Sequence, residues 1–165
     1  MAGVAYLNSH FKSDISISFI DAYFDSTFTY NGNDPKTVSS GNRIPGVPKS
    51  TLFTDLVWSS TDFSRNKYRQ IMGSQVAIEW LASGDIYAAF DNVSKAGSRA
   101  PGYGVANLRL THRVDIEKFT LTGYGQLYNL FDKRYVGSLI VGDAAPFEPA
   151  PGRNWVIGLS AITRF

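Results

Sequence analysis

The chain has 165 residues, a net charge of +2, 44% apolar residues and no cysteine. Without cysteine there is neither a disulfide scaffold nor a thiolate metal site, and no run reaches the ~18 consecutive apolar residues of a membrane-crossing helix. The densest basic cluster, Arg65, Lys67 and Arg69, is too thin for a nucleic-acid footprint, so no nucleic-acid partner is expected.

Six runs read as strands, and the 14% aromatic content favours strands over helices. Gly3 to Phe11 is short and mixed. Ser50 to Ser59 puts Leu52, Leu56 and Trp58 on one face, with Asp55 and Ser59 on the other. Gln70 to Ser83 sets Met72, Val76, Ile78 and Trp80 against Gln75, Glu79 and Ser83. Tyr103 to Val114 sets Ala106, Leu108 and Leu110 against Asn107, Arg109, Thr111 and Arg113. Phe119 to Leu130 sets Phe119, Leu121 and Leu127 against Thr120, Thr122, Tyr124, Gln126 and Tyr128. In Arg153 to Phe165, Trp155, Ile157, Leu159, Ala161, Thr163 and Phe165 share a face.

The last run is the most telling. Ten residue steps separate Trp155 from Phe165. At ~3.3 Å each and a ~45° tilt they cover a height of about 24 Å, matching the ~25 Å apolar band of an outer-membrane barrel with an aromatic girdle at each interface. Strand length points the same way. Globular strands cluster near ~5–6 residues, whereas barrel-spanning strands need ~9–11.

Short connections (Ser60 to Arg69, Asp115 to Lys118) alternate with long ones (Lys12 to Lys49, Gly84 to Gly102, Val136 to Gly152). Outer-membrane barrels have short periplasmic turns and long extracellular loops. The last strand descends from a long loop, which predicts the C-terminus on the periplasmic side. Inside the first long loop, Ile15 to Phe24 and Thr27 to Tyr30 alternate well enough for an added hairpin. The expected fold is therefore all-β: an antiparallel transmembrane β-barrel segment of about six long strands, or eight with that hairpin.

Three segments carry a family resemblance. They are Gly-Asn-Arg-Ile-Pro-Gly-Val-Pro-Lys from Gly41, Ala-Pro-Gly-Tyr-Gly-Val-Ala-Asn-Leu-Arg from Ala100, and Asn-Leu-Phe-Asp-Lys-Arg-Tyr-Val-Gly-Ser from Asn129. The third is followed by Phe-Glu-Pro-Ala-Pro-Gly-Arg-Asn-Trp from Phe147 and by the terminal Phe165. In this order the chain resembles the C-terminal barrel segment of a TonB-dependent outer-membrane receptor of the ferric-siderophore type. The resemblance implies a barrel of about 22 strands around an N-terminal plug, in the outer membrane of a Gram-negative bacterium. It implies import of ferric siderophores or similar chelates with TonB energy coupling, TonB acting only through the plug. Residues 1–165 are then the C-terminal portion of the barrel, expected to carry no plug and no signal peptide. Its partners are outer-membrane lipid, the N-terminal strands and plug of the same receptor, and the barrel-assembly machinery. That machinery reads the terminal strand, with Gly158, Leu159 and Phe165 as the assembly signal. No covalently bound cofactor is expected, and the ferric siderophore is cargo.

Other residues have simpler roles. Trp58, Trp80 and Trp155 share faces with Leu and Ile and read as membrane-belt anchors rather than ligand-stacking rings. Gln75, Glu79, Asn107, Arg109, Arg113, Gln126 and Tyr128 lie on the polar faces, which look into the lumen of a barrel. There they are candidates to contact an anionic chelate or a plug, with Arg–Glu pairing and solvation the plainer role. Asn129, Asp132 and Tyr135 read as a strand-end turn in which Asn and Asp bond the backbone. His10 and His112 are isolated and predict no metal site. Asn92-Val-Ser94 is a glycosylation sequon by pattern only. Phe24, Phe28, Tyr30, Arg43 and Phe147 sit in the long loops, where a first cargo contact would fall. No acid–base or nucleophile constellation points to an enzyme. Two alternatives remain open: a small autonomous outer-membrane barrel with an adhesive or structural role, and a soluble all-β binding module.

Overall fold

The computed structural model describes residues 2–31, 36–63, 72–90, 92, 98–141 and 146–163. In chain order the strands are β1 (Ala2–Asn8), β2 (Phe11–Phe19), β3 (Phe28–Tyr30), β4 (Lys36–Val38), β5 (Ser50–Ser59), β6 (Gly73–Ser83) and β7 (Ile86–Tyr87). They continue with β8 (Arg99–Ala100), β9 (Tyr103–Ile116), β10 (Phe119–Tyr128), β11 (Val136–Leu139), β12 (Phe147–Pro149) and β13 (Asn154–Thr163). One sheet of seven strands runs β1-β2-β5-β6-β9-β10-β13, and all its neighbours are antiparallel. The shorter strands pair off as β3–β4, β7–β8 and β11–β12 inside the long connections.

The sheet has one strand more than the six runs expected from sequence. Gly3 to Phe11 is not a single strand: the chain turns at Ser9-His10, and Asn8 pairs with Phe11 across the turn. β2 then occupies what reads as the start of the first long loop. Its serines mask a clean alternation, with Lys12, Asp14, Ser16 and Ser18 opposed to Ile15, Ile17 and Phe19, and pairing to β5 along its whole length fixes it as strand. The hairpin expected between Ile15–Phe24 and Thr27–Tyr30 does not form: Ile15–Phe19 is taken up by the main sheet against β5, and Phe28–Tyr30 pairs instead with Lys36–Val38 in a separate two-stranded sheet. The third run starts at Gly73, and residues 64–71 lie outside the described residues.

Connections fall into two sets. Residues 9–10, 60–72 and 117–118 join strands at one rim, and 20–49, 84–102 and 129–153 join them at the other. With seven antiparallel strands, the edge strands β1 and β13 run in the same direction.

Directly opposed residues share a face, so the register assigns every side chain. One face carries Trp58, Ile78, Trp80, Leu108, Leu110, Leu127, Trp155, Ile157 and Leu159. The other carries Asp14, Asp55, Glu79, Asn107, Arg109, Gln126 and Tyr128. Burial is inverted relative to a water-soluble sheet. Ile157 and Leu159 are 73% and 77% exposed, whereas Asp55 and Glu79 are each 8% exposed. Water-soluble chains almost never bury acids while leaving a continuous aliphatic face uncovered.

Candidate functional site: a charged row on the polar face

β2, β5, β6 and β9 bring one row of polar residues into register. Asp14 opposes Asp55, Asp55 opposes Glu79, and Glu79 opposes Asn107. The adjacent row runs Lys12, Val57, Ala77, Arg109 and Gln126. Arg109 reaches across both rows. Its Nη2 donates to Asp55 Oδ2 at 3.0 Å and its Nη1 to Glu79 Oε1. Lys12 Nζ pairs with Asp14 Oδ2 at 2.8 Å. A planar guanidinium suits such a bridge, because its donors point in fixed, separate directions.

The network continues toward the long-loop rim. Asn107 Nδ2 donates to Glu79 Oε2 at 3.4 Å, and Asn107 Oδ1 accepts the Asn129 backbone N–H at 2.9 Å. Asn129, in the left-handed region at φ 50°, then ties down the loop that follows it. Its side-chain amide donates to Lys133 O and Pro151 O, and its Oδ1 accepts from Lys133 N. Asp132, also left-handed, accepts from Arg153 N at 2.8 Å. Asn129 and Asp132 thus bond backbone groups, as their turn chemistry predicts, and hold both ends of the 129–153 loop together. Tyr135 is not part of that turn. Its ring stacks on Tyr103 at 4.3 Å between centroids. With Tyr128, Asn107 and Asn154 the pair borders a depression of about 310 Å³.

The seven polar residues singled out from sequence all lie on this face, but only some converge. Glu79, Asn107 and Arg109 form the network. Tyr128 lines the depression. Arg113 Nε donates to Thr122 Oγ1 at 3.0 Å, apart from the acids. Gln126 opposes Arg109 and Val156, and Gln75 opposes Ser59 and Thr111. Sequence reasoning placed Asp55 on the polar face without assigning it a role. Only the register shows that it stands beside Glu79, and nothing in the alternation of a single strand carries that information.

The apolar face is arranged around its tryptophans. Trp58 lies near the rim of the short connections, and Trp80 and Trp155 lie near the opposite rim. Trp80 covers Gly104, where a β-carbon would come within 2.7 Å of the indole. On the polar face, Gly158 lies under Tyr124, its direct partner across β10 and β13. A β-carbon at Gly158 would stand 2.2 Å from the phenol ring. Leu159 points to the opposite, exposed face. Phe165 lies outside the described residues.

The histidines are engaged separately. His10 Nδ1 donates to Ser59 O at 2.9 Å, and the ring of His112 pairs with Ser74 Oγ at 2.9 Å.

Two of the long connections are joined. Asn92 donates from its amide to Arg43 O at 2.9 Å, and its Oδ1 accepts the Arg43 backbone N–H. Gly46 N donates to Tyr87 O at 2.9 Å, Asn42 Nδ2 donates to Phe90 O at 3.0 Å, and the Phe24 ring lies 6.2 Å from Phe90. Arg43 also binds Asp21 Oδ1 at 3.0 Å. Of the loop aromatics, Phe24 and Phe28 stack edge-on at 5.3 Å. Phe147 starts β12.

In the second of these loops Arg99 Nε donates to Asp85 Oδ2 at 2.8 Å. Partial burial opposes ionisation of Asp85, but the Arg99 hydrogen bond and charge, with help from its own backbone and Lys49, outweigh it and hold the carboxyl below its usual range. A depressed folded-state pKa contributes stability that is complete above the unfolded value and is lost as pH falls through the folded one. Protection factors of residues 84–90 and 98–102, corrected for the intrinsic pH dependence of amide exchange, are therefore expected to be equal at pH 7 and pH 5. They should fall only below the ordinary carboxylate pKa of ~3.9. Lower protection already at pH 5 would show that the pair does not hold this loop.

Comparison with known proteins agrees with this architecture. The family model for the TonB dependent receptor-like β-barrel matches residues 7–130. Among solved structures, the siderophore receptor PiuA from Acinetobacter baumannii superposes with a TM-score of 0.71 at 16% identity, over 98% of this chain and 20% of its own. The ferric yersiniabactin uptake receptor FyuA from Yersinia pestis gives 0.64 at 19% identity, over 99% of this chain and 22% of its own. BauA, the ferric preacinetobactin receptor from Acinetobacter baumannii, gives 0.57 at 13% identity, over 96% and 28%. The chain therefore spans about a fifth to a quarter of the length of these receptors. Its long antiparallel strands, inverted faces and matched family model make one statement: this chain belongs to the TonB-dependent receptor β-barrel family, whose members are outer-membrane barrels.

Proposed function

We propose that residues 1–165 form the C-terminal wall of an outer-membrane receptor that imports ferric siderophores or similar iron chelates, with energy supplied by TonB through a plug domain. The observation that carries this reading is the inverted sheet, with a buried acid row on one face and an uncovered aliphatic face on the other. The aliphatic face meets outer-membrane lipid, with Trp58, Trp80 and Trp155 as its interfacial anchors. The polar face looks into the lumen and toward the plug. The short connections are periplasmic, so β13 ends on that side. Gly158 and Leu159 of β13, together with Phe165 beyond it, are what the barrel-assembly machinery reads. The receptors that superpose on this chain are named for ferric-siderophore uptake, which supports the cargo class.

Strand parity argues against a small autonomous barrel. β1 and β13 run the same way, so this sheet cannot close on itself with antiparallel pairing, and an open edge in lipid leaves backbone groups unpaired. A soluble module would need a second layer over Ile157 and Leu159, which are exposed.

The test is uptake of radioactive iron chelates by cells that carry the full-length receptor and lack their other siderophore receptors. Uptake of at least one chelate that disappears when TonB is removed is expected. A folded receptor that transports no chelate, or transports without TonB, refutes the proposal.

A further inference from the structure

The apolar face carries a polar pair that its aliphatic surroundings do not explain. His112 opposes Ser74 on β6 and Gly123 on β10, and Gly123 in turn opposes Leu159, so the imidazole stands on the aliphatic side of the sheet. It is exposed there between Leu110 and Val114. Its Nδ1 lies 2.9 Å from Ser74 Oγ. A neutral imidazole brings one N–H and a serine one O–H. One of these hydrogens is used inside the pair, and the other is left over whichever tautomer the ring adopts. Hydrocarbon offers it no acceptor, and a polar group left unbonded in such surroundings is costly. Depth narrows the choice of acceptor. Ser74 is the second residue of β6, and Trp58, an interfacial anchor, opposes Val76 two residues further in. The pair therefore stands at headgroup level on the side of the short connections. Beside it the surface is hollow. β10 turns Gly123 and Gly125 to this face while its pairing with β9 and β13 runs on without a bulge. A β-carbon at Gly123 would meet nothing within 4 Å. Over Gly125 lies a depression of about 240 Å³, bordered by Leu108, Leu110, Leu127, Trp155 and Ile157. Glycine inside a strand marks a bulge, a bend or the close approach of another molecule. With no bulge, close approach is the reading that also accounts for the hollow.

We propose that this strip of the outer wall is a binding site for a glycerophospholipid of the leaflet on the short-connection side. The His112–Ser74 pair donates its remaining hydrogen to a phosphate or ester oxygen, and an acyl chain runs over Gly123 and Gly125 into the depression. The inference rests on the reading of the apolar face as lipid-facing. Its two halves are continuous: Gly123 lies directly beside His112, and Gly125 is the next residue of β10 on the same face. The neighbours of the pair on this face, Leu110, Val114, Gly123 and Leu159, bring no charge. The site therefore selects the phosphate–glycerol region that phospholipids share rather than a particular headgroup.

Native mass spectrometry of the full-length receptor, released from outer membranes in mild detergent, reads retained lipid and oligomeric state together. A retained glycerophospholipid is expected on the wild type. After delipidation, titration with palmitoyl-oleoyl phosphatidylethanolamine should restore it. His112→Leu should weaken that rebinding about fivefold, the worth of an ordinary hydrogen bond. His112→Gln keeps a donor and should stay close to wild type. Gly125→Leu fills the depression and should weaken rebinding at least as far as His112→Leu. A β-carbon at Gly125 meets its nearest atoms at 3.9 Å, an ordinary contact, so this variant should keep its heat-modifiable band. Equal rebinding by the wild type and either His112→Leu or Gly125→Leu overturns the proposal. A lipid-free dimer that Gly125→Leu breaks also overturns it, and would assign the face to a second copy of the receptor. A wild-type receptor with no heat-modifiable band would instead refute the barrel reading beneath it.

Discussion

Gly158→Val in the full-length receptor is expected to lower the folded, heat-modifiable fraction in the outer membrane several-fold. The reason is local. Tyr124 and Gly158 oppose each other on β10 and β13, and the phenol lies where a side chain at 158 would stand. Even a β-carbon meets ring atoms at 2.2 Å, so the ring must leave its rotamer or the two strands must part. Overpacking of this kind costs roughly 1–3 kcal/mol in a core. The strain falls on a single pairing, because β13 has only β10 beside it in this sheet. A glycine that admits an aromatic ring from the facing strand also pins register, which an alternating strand otherwise specifies only through its faces. Tyr124→Ala should therefore rescue Gly158→Val in part. Equal folded yields for wild type and Gly158→Val would remove the packing argument. Failure of Tyr124→Ala to rescue would assign the defect to recognition of β13 during assembly.

The second large effect is expected at Arg109. Arg109→Met removes the cation that, among the described residues, binds both Asp55 and Glu79. Breaking a buried pair by removing one member costs about 3–5 kcal/mol, because the remaining charge has lost its partner. The guanidinium keeps some water, its side chain being 38% exposed against 11% for each acid, so the lower end of that range is expected. Urea or thermal unfolding of the purified receptor would show it as a lowered midpoint. The triple variant Arg109→Met, Asp55→Asn, Glu79→Gln should recover most of the loss, since neutral partners no longer demand a counter-charge. A single variant as stable as wild type, or a triple variant no better than the single, would show that Arg109 does not hold this wall together.

Much of the fold was legible because the strands are long. In β5, β6, β9, β10 and β13, period-two alternation persists long enough to separate one apolar face from one polar face, and the inverted burial follows those faces. β2 was obscured by composition: serines at Ser13, Ser16 and Ser18 read as loop, and only pairing with β5 makes them strand. The turn chemistry of Asn129 and Asp132 could be read locally, since their bonds stay within the motif or reach the residue that re-enters the sheet. The acid row could not. Asp14, Asp55 and Glu79 are brought together by register, and register depends on contacts between strands far apart in the chain. The same holds for Gly158, whose place in the terminal strand was visible while the ring above it was not. Membership of the family was carried by spaced motifs, whereas the network around Arg109 lies in none of them except through Asn107, Arg109 and Asn129.

The clasp between Asn92 and the backbone of Arg43 bears on how receptors of this kind diversify. The 20–49 and 84–102 connections meet through both backbone polar groups of one residue, Arg43, and a shared cluster of phenylalanines. They are separate in the gene and joined in the protein. Recombination that imports one of them from a relative with a different partner leaves an amide with nothing to hold and a broken ring cluster. Exchange of both together preserves the joint. Inheritance at this rim should therefore proceed by co-transfer, with two distant gene segments travelling as one unit.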